Sequence, residues 1–456
     1  MMKWNTLFSN KRFSTTNLSA RDEVRGDYMR DYDRLIFSSH FRRLQNKTQV
    51  FPLPGAVFVH NRLTHSLEVA SVGRSLGKAV GESLYNKYEY EFSTNILNFY
   101  RFELSDVIQT ACLAHDIGNP PFGHFGEEAI RSFFEQMKSD PKSRFVKELT
   151  VNQQNDFVKF EGNANAFRIL TSLFLNSGLK LTHTTLASII KYPSNSTAGF
   201  NKSTGMLSTK KSGFFDSEIV FFKAIAEELD IPVLNEETDV YARHPFVFLV
   251  EAADDICYRI IDLEDAFKLN VISLDETLAL LLPFFENDSR KDYLDKKLPE
   301  IADPSQKLSL LRAMLVDLLT KKCTDVFLEN EKYLLEGKLN RSLIELLDAR
   351  TTELLKKIDS FSFEKIYNHP SVIEKELAGY HVIYGLLEDF VAALFAPEKA
   401  KSNKVLRLLS VQYSIVEEDT LYQNLLKIVD FISGMTDDYA MDLYRKLRGI
   451  QTPEFG

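Results

Sequence analysis

The stretch Leu113-Ala-His-Asp-Ile-Gly-Asn-Pro-Pro-Phe-Gly-His-Phe-Gly-Glu127 places two imidazoles and two carboxylates within fifteen residues. The residues before it, 105–115, combine a serine suited to N-capping, an acidic first turn and apolar side chains at helical spacing, and so predict a buried helix. Gly118 and the two prolines after it would end that helix, leaving His115 and Asp116 adjacent at its carboxyl end. Burying an unpaired imidazole and an unpaired carboxylate is costly unless a cation binds both. The stretch therefore predicts a metal site; the alternative is a capping histidine beside an aspartate paired with an arginine.

The composition predicts a large globular protein. A chain of 456 residues with 44% hydrophobic residues can form two or three domain-sized units or one large helical body. The net charge is -9 and no block of five or six basic residues occurs, which argues against a dedicated nucleic-acid surface. The 3 cysteines are far apart and form no Cys-x-x-Cys pair, which suits a reducing compartment and disfavours structural zinc. With no leader-like apolar segment and no run of eighteen apolar residues, we expect a cytoplasmic protein that does not enter a membrane.

Helical spacing dominates the chain, so the sequence predicts a mostly α fold. Residues 1–30 are polar and arginine-rich and are predicted to form an arm, followed by a core over 31–275 and a helical carboxyl-terminal region over 276–456. A helix is predicted over 33–44. The stretch 194–212 is rich in Ser, Thr, Asn, Gly and Lys and predicts a flexible insertion, which would suit a lid.

Two further predicted helices carry polar residues that could complete the site. From Thr64 to about Tyr85 apolar residues recur at threes and fours, and His65 lies in the first turn, three residues after Arg62. Taken alone, His65 is more typical of a hydrogen-bonded structural histidine than of a metal ligand.

The second of these helices follows the wholly apolar turns at 246–250. Asp254, Tyr258 and Asp262 are spaced at i, i+4 and i+8, so they form a polar stripe along one side of the helix. A buried helix with two acids and a phenol on one side indicates a ligand. The alternative is a solvated face that carries an aspartate–arginine pair.

Together these motifs resemble the HD superfamily of metal-dependent phosphohydrolases and, within it, the bacterial dGTPase (deoxyguanosinetriphosphate triphosphohydrolase) branch. The resemblance extends from about residue 20 to 270 and returns more weakly from His369. It implies a large multi-helical HD-domain fold. The motifs that carry it are Phe41–Phe51, Asn61–Val69, His115–Glu127, Phe160–Ala164 and Glu251–Ile256.

The resemblance also implies a metal centre and a catalytic pair. Two imidazoles and two carboxylates suit a divalent ion with five or six positions, Mn²⁺ or Mg²⁺ with Fe or Co as alternatives, better than a closed zinc site. His124 and Glu127 match the family's catalytic dyad, although Glu127 could instead only favour a helix amino terminus. The implied metal ligands are His65, His115, Asp116 and Asp254.

Substrate contacts are implied in the same way. Gln49 and Asp262 match residues that contact a sugar 3′-hydroxyl, and Val50 lies where a 2′-hydroxyl would be excluded. Lys191 and Lys211 match triphosphate-binding lysines, although either could be a solvated surface residue. The full implied set is Gln49, Val50, Arg62, Lys191, Tyr192, Lys211, Tyr258 and Asp262. Asn119 and Asp255 differ from the related mammalian enzymes, which leaves open how charge at the α-phosphate is neutralised.

The implied reaction is attack at the α-phosphorus of a dNTP, with dGTP favoured, to release the deoxynucleoside and triphosphate. One alternative is an HD-type nucleotide phosphatase or phosphodiesterase, and another is a nucleotide-sensing protein. Implied partners are further copies of the chain, with a hexamer favoured, and a regulatory dNTP or single-stranded DNA.

Overall fold

The computed structural model describes residues 1–13, 26–52, 58–171, 178–199 and 205–450. Most of these residues are helical, which confirms the predicted mostly α fold. The strands found in the described residues are one short antiparallel pair, Val233–Asn235 and Val240–Tyr241.

The helices of the amino-terminal half are α1 (Asp27–Ile36), α2 (Ser39–Arg43), α3 (Arg62–Tyr88), α4 (Thr94–Asn98), α5 (Leu104–Ala114), α6 (His124–Lys138), α7 (Arg144–Glu148), α8 (Val151–Val158), α9 (Gly162–Thr171), α10 (His183–Ile189), α11 (Ile219–Glu228) and α12 (Pro245–Lys268). Those that follow are α13 (Leu274–Leu281), α14 (Lys291–Glu300), α15 (Pro304–Glu329), α16 (Glu331–Leu335), α17 (Ala349–Ser362), α18 (Pro370–Phe395), α19 (Ala400–Leu406), α20 (Leu421–Ser433) and α21 (Asp437–Leu447). Single π-helical turns, Phe99–Glu103 and Phe363–Tyr367, precede α5 and α18.

Buried apolar side chains form two clusters. The larger one lies among α3, α5, α12 and α15 and includes Leu76, Leu113 and Ile256. The smaller one lies among α6, α18, α20 and α21 and includes Leu386 and Leu425. The stretch 115–123 connects α5 of the larger cluster to α6 of the smaller one, so the residues singled out from the sequence lie where the two clusters meet.

The close packing of α3 on α5 brings the first two histidines together. A Cβ added at Gly81 would lie 2.0 Å from the Tyr100 carbonyl oxygen, and one added at Gly73 would lie 2.4 Å from Cys112 Sγ. Because the two helices run antiparallel, the start of α3 lies beside the end of α5. The rings of His65 and His115 are consequently 5.4 Å apart, centroid to centroid.

Two predicted helix boundaries differ from the structure. The helix predicted over 33–44 is interrupted, because α1 ends at Ile36 and the Ser38 hydroxyl accepts a hydrogen bond from Phe41 N to start α2. Ser105 does not cap α5, since the π-helical turn before it continues directly into the helix and leaves Ser105 one residue inside.

The described part of the predicted arm is packed against the protein. Met2, Trp4 and Leu7 are buried in the larger cluster, and Met2 N donates to the Leu335 carbonyl oxygen at 2.8 Å. Apolar residues such as these are few among the polar residues of this segment, which is why the sequence predicted an arm. Residues 14–25 lie outside the described residues, and the division into 1–30, 31–275 and 276–456 stays a prediction.

The predicted insertion over 194–212 is also held in place where it is described. Ser194, Asn195 and Ser196 are buried, and the Ser196 hydroxyl donates to Asp156 Oδ1 at 2.6 Å. Residues 200–204 lie outside the described part of the chain. A lid over this stretch stays a prediction.

Helix α18 is long and apolar enough to cross a membrane by length and composition alone. However, 56% of its most apolar window is buried inside the protein, where α18 packs against α6, α19, α20 and α21. This burial is typical of a core helix. Polar residues interrupt α18, so it contains no unbroken run of eighteen apolar residues.

Gly81→Ala tests the packing of α3 on the π-helical turn that leads into α5. Alanine normally stabilises a helix by about 1 kcal/mol relative to glycine, but here the methyl group would collide with backbone. We therefore expect the free energy of unfolding to fall by about 1–3 kcal/mol, measured by chemical denaturation. Ser75→Ala, on the exposed face of the same helix, is the control and should change it by no more than about 0.5 kcal/mol. A Gly81→Ala protein as stable as the control would contradict the contact.

Candidate active site

Four side chains from three separate segments converge at one buried point. His65 comes from the first turn of α3, His115 and Asp116 from the end of α5, and Asp254 from the middle of α12. Ligand atoms of His65, His115 and Asp116 all lie within 4.8 Å of one another. Asp254 Oδ1 lies 3.1 Å from His65 Nε2 and 3.6 Å from His115 Nε2. The arrangement brings together all four predicted metal ligands.

Hydrogen bonds orient two of these side chains. His115 Nδ1 lies 2.6 Å from the Cys112 carbonyl oxygen, which fixes the ring with Nε2 facing the cluster. Asp116 Oδ2 accepts from Arg62 Nη1 at 2.7 Å, and Asp116 Oδ1 accepts from Asn119 Nδ2 at 2.6 Å. The aspartate–arginine pair weighed as an alternative is thus present, but it forms within the cluster and leaves both histidines aimed at the same point.

The electrostatics of the cluster suit a cation. Burial alone would raise the pKa of Asp254, but the neighbouring His115 and His65 hold that pKa well below its usual range. Burial likewise opposes ionisation of Asp116, and Arg62 and His115 outweigh it, so the pKa of Asp116 is lowered. Both carboxylates are therefore ready to bind metal without first losing a proton. Two imidazoles and two carboxylates in this arrangement fit a divalent ion.

The cluster forms part of the wall of a cavity of about 650 Å³. Every predicted site residue lines this cavity, including those more than a hundred residues apart in sequence. The predicted site residues that line the cavity are Gln49, Val50, Arg62, His65, His115, Asp116, His124, Glu127, Lys191, Tyr192, Lys211, Asp254, Tyr258 and Asp262. The volume suits a drug-sized or nucleotide-sized ligand.

The polar stripe of α12 faces the cavity, so it is not a solvated face. Burial raises the pKa of Asp262 to about 7, although the Tyr367 hydroxyl donates to its Oδ2 at 2.7 Å. Arg259 and Asp255, the pair of the alternative interpretation, are also largely buried, and Arg259 Nε donates to Asp359 Oδ1 at 2.8 Å. Asp262 can therefore be a neutral hydrogen-bond donor or an acceptor near neutral pH.

His124 and Glu127 form a hydrogen-bonded pair at the start of α6. His124 Nδ1 lies 3.0 Å from Glu127 Oε2, and the His124 side chain is 84% exposed while that of Glu127 is 3% exposed. Glu127 Oε1 also accepts from Gly162 N at 2.7 Å. Burial would raise the pKa of Glu127, but the bond to His124 and the nearby Lys211 and Arg131 lower it. An ionised, immobilised carboxylate thus holds an accessible imidazole.

Three predicted cationic residues of the cavity wall each have a carboxylate partner. Arg62 pairs with Asp116, Lys191 Nζ lies 3.2 Å from Glu251 Oε1, and Lys211 Nζ lies 2.8 Å from Glu161 Oε2. Burial would lower the pKa of Lys191, but Glu251 raises it above its usual range, so Lys191 is charged. These lysines line the cavity and are not solvated surface residues.

Some residues of the cavity wall were missed from the sequence. Tyr367 reaches Asp262 from the π-helical turn before α18, and Lys375 of α18 lies 3.4 Å from Asp437 Oδ2. Glu161 and Glu251, which pair with the two lysines, lie in motifs quoted above, but no role was predicted for either. Tyr367 lies two residues before the His369 motif, which gave the one available signal, while nothing local to Lys375 indicated its position.

Family comparisons match two segments of the chain. A model described as HD domain matches residues 62–162, and a model described as phosphohydrolase-associated domain matches residues 346–446. The first contains three of the converging ligands, and Asp254 lies outside both.

Curated relatives align over nearly the whole chain. A Synechocystis sp. protein named deoxyguanosinetriphosphate triphosphohydrolase-like protein is 37% identical over 98% of this chain and 100% of its own length. A Pseudomonas aeruginosa protein of the same name is 36% identical over 99% and 100%. A Yersinia pseudotuberculosis protein named deoxyguanosinetriphosphate triphosphohydrolase is 32% identical over 94% and 95%.

Removing Asp254 tests the metal assignment. Asp254→Ala takes away one of four converging ligands, so we expect Mn²⁺ affinity to fall at least about a hundredfold, measured by calorimetric titration and by metal content after dialysis. Asp255→Ala is the matched control and should bind Mn²⁺ like the unmodified protein, because Asp255 faces Arg259 instead of the histidines. Unchanged Mn²⁺ affinity in a folded Asp254→Ala protein would exclude Asp254 as a ligand.

Proposed function

This chain belongs to the deoxyguanosinetriphosphate triphosphohydrolase-like family of HD-domain proteins, and on that premise we propose that it is a metal-dependent dNTP triphosphohydrolase. The favoured reaction is hydrolysis of dGTP to deoxyguanosine and triphosphate by attack of water at the α-phosphorus. The observation that carries the proposal is the sharing of one cavity by the metal-ligand cluster, the His124–Glu127 pair and three cations.

The proposed metal centre consists of His65, His115, Asp116 and Asp254. A divalent ion bound there, Mn²⁺ or Mg²⁺ with Fe or Co as alternatives, supplies Lewis-acid polarisation of a phosphate oxygen and a more acidic water. Arg62, through its bond to Asp116, fixes the orientation of one ligand and brings its guanidinium to the same wall of the cavity.

His124 is proposed to move the proton that the reaction requires. Breaking the bond from the α-phosphorus to the 5′-oxygen leaves an alkoxide that needs a proton, while the attacking water must lose one. The Nδ1 side of His124 is occupied by Glu127, so the exposed Nε2 is the atom available for the transfer.

Lys191, Lys211 and Arg62 are proposed to bind the triphosphate. A tri- or tetra-anionic chain entering the cavity adds negative charge, and each of these three groups already lies beside a carboxylate. Each lysine has further N–H donors beyond the one directed at its glutamate, so phosphate oxygens can share the ammonium group. Tyr192, buried beside Lys191, and Tyr258 add a ring and a phenol to the same wall.

Gln49, Val50 and Asp262 are proposed to recognise the sugar. Gln49 Oε1 is buried, and no described residue donates a hydrogen bond to it. An unpaired buried acceptor is costly, so a ligand hydroxyl that donates to it would be bound with a gain. Val50 follows directly, where close backbone would leave no room for a 2′-hydroxyl.

The cellular setting is proposed from the family. We infer a cytoplasmic homo-oligomer, with a hexamer favoured, that a regulatory dNTP or single-stranded DNA could modulate.

Product analysis tests the reaction. The protein is incubated with each of the four dNTPs and Mn²⁺, and the products are separated by anion-exchange chromatography. We expect deoxynucleoside and intact triphosphate, with dGTP the fastest substrate. Orthophosphate or pyrophosphate as the first product would instead support the phosphatase or phosphodiesterase alternative, and no turnover with intact metal binding would support a nucleotide sensor.

Replacing His124 tests the catalytic pair. His124→Ala should retain Mn²⁺ and substrate affinity but lower kcat by about two to four orders of magnitude, since it removes proton transfer and no metal ligand. Glu128→Ala, exposed on the same helical turn, should leave kcat unchanged. If His124→Ala lost Mn²⁺, the imidazole would belong to the metal centre.

Replacing Gln49 tests sugar recognition. Gln49→Ala should weaken dGTP binding by about 0.5–1.5 kcal/mol through loss of one 3′-hydroxyl contact, and it should reduce the difference between dGTP and 2′,3′-dideoxy-GTP, since Asp262 still meets that hydroxyl. KM and kcat for dGTP, GTP and dideoxy-GTP are compared, with exposed Gln45→Ala as the control. Equal turnover of dGTP and GTP by the unmodified protein would exclude the deoxynucleotide assignment.

A further inference from the structure

One carboxylate of the carboxyl-terminal region bonds to two separate loops of the cavity wall. Asp437 is the first residue of α21 and is buried. Its Oδ1 accepts from Phe122 N at 3.0 Å, and its Oδ2 accepts from Thr48 N at 3.1 Å and from the Thr48 hydroxyl at 2.7 Å. Three donors from loops more than seventy residues apart therefore share one side chain.

The first of these loops leads to His124. Phe122 has a φ of 61°, a left-handed conformation that is unfavourable for a residue with a side chain, and Gly123 follows with a φ of 59°. A Cβ added at Gly379 of α18 would lie 2.3 Å from Phe122 Cγ, so the Phe122 ring fits against the space left by that glycine. The bond from Phe122 N to Asp437 thus holds a strained turn immediately before the exposed imidazole.

The second loop leads to Gln49. Thr48 forms an isolated bridge to Asn61, the N-cap of α3, and is followed by the residue whose buried carboxamide oxygen is proposed to meet the sugar. Since Asp437 holds both the backbone and the hydroxyl of Thr48, it limits where Gln49 and Val50 can lie.

A neighbouring lysine makes the same connection independently. Lys47 Nζ donates to the Asn119 carbonyl oxygen at 2.6 Å and to the Ser433 carbonyl oxygen at 2.8 Å. Lys47 therefore links Ser433 to the loop that contains Asn119, and Asp437 of the same segment bonds to both loops. Lys375 Nζ, 3.4 Å from Asp437 Oδ2, brings a further donor to the carboxylate from the cavity side.

We propose that Asp437 is a positioning residue that fixes the turn carrying His124 relative to the loop carrying Gln49. Proton transfer and sugar discrimination then depend on the same carboxylate. It touches neither substrate nor metal in this assignment. The kinetic part of the proposal rests on the proposed function, whereas the structural part does not.

Hydrogen–deuterium exchange on the full-length protein without nucleotide tests the structural part. Asp437→Ala leaves three buried donors without an acceptor, so exchange in peptides covering 46–50 and 119–125 should become about tenfold faster. Asp438→Ala is the matched control, because Asp438 lies in the same first turn of α21 but is exposed. Thr48→Val removes only the hydroxyl bond and should accelerate exchange in 46–50 alone.

Kinetics test the functional part. Asp437→Ala should lower kcat for dGTP about tenfold and reduce the ratio of kcat/KM for dGTP over GTP, with Mn²⁺ affinity unchanged. Thr48→Val should reduce that ratio and leave kcat within about twofold, since the turn before His124 keeps its bond. If Asp437→Ala does not fold, Asp437→Asn replaces it: its single carboxamide oxygen can serve one loop while its NH₂ faces the donor of the other.

The outcomes separate the two proposals. Exchange in both segments equal to that of Asp438→Ala, or acceleration spread uniformly over α3 and α12, would overturn the positioning role, as would unchanged kcat and unchanged sugar ratio in Asp437→Ala. If the unmodified protein hydrolyses no dNTP, the proposed function fails, and the exchange comparison still decides whether Asp437 holds the two loops together.

Discussion

The charge balance at the point where α3, α5 and α12 meet constrains the rest of the structure. His65, His115, Asp116 and Asp254 are brought within a few ångströms of one another in a buried place, where uncompensated charge is costly. Holding them there requires close helix packing, which the glycines of α3 provide, and fixed orientations, which the Cys112 carbonyl and Arg62 provide. Such an arrangement makes physical sense when a divalent ion completes it.

Opposite charges are also paired along the rest of the cavity. Each cation proposed to meet phosphate already has a carboxylate beside it, as Lys191 has Glu251 and Lys211 has Glu161. Arg131 links Glu161 to Glu127, with Nη2 3.0 Å from one carboxylate and 3.3 Å from the other. Lys211 and the proposed His124–Glu127 pair are therefore connected through one network of charged side chains. A substitution of Lys211 would alter the electrostatic environment of His124 without direct contact between the two side chains.

Local sequence patterns were sufficient to place a residue where secondary structure alone decides which way its side chain points. The helical spacing of Asp254, Tyr258 and Asp262 placed all three on the cavity side of α12, and the turn residues after α5 placed His115 at its end. Patterns failed where a neighbouring turn or a distant contact decides the outcome. Ser105 could cap a helix, but the π-helical turn before it continues the helix through that position. Apolar spacing indicated neither Lys375, which lines the cavity, nor Asp437, which bonds to two of its loops, and only the nearby His369 motif pointed to Tyr367.

The site is therefore larger than either family segment. The HD segment, residues 62–162, supplies His65, His115 and Asp116 but lacks Asp254, while the associated segment, residues 346–446, supplies Tyr367 and Asp437. Because Asp437 bonds to the loop before His124, the second segment supports the geometry of the first instead of only covering it. The two apolar clusters that meet at residues 115–123 must then pack correctly against each other before the cavity acquires its final form. Assembly of this site is a long-range event, and its geometry depends on contacts that span most of the chain.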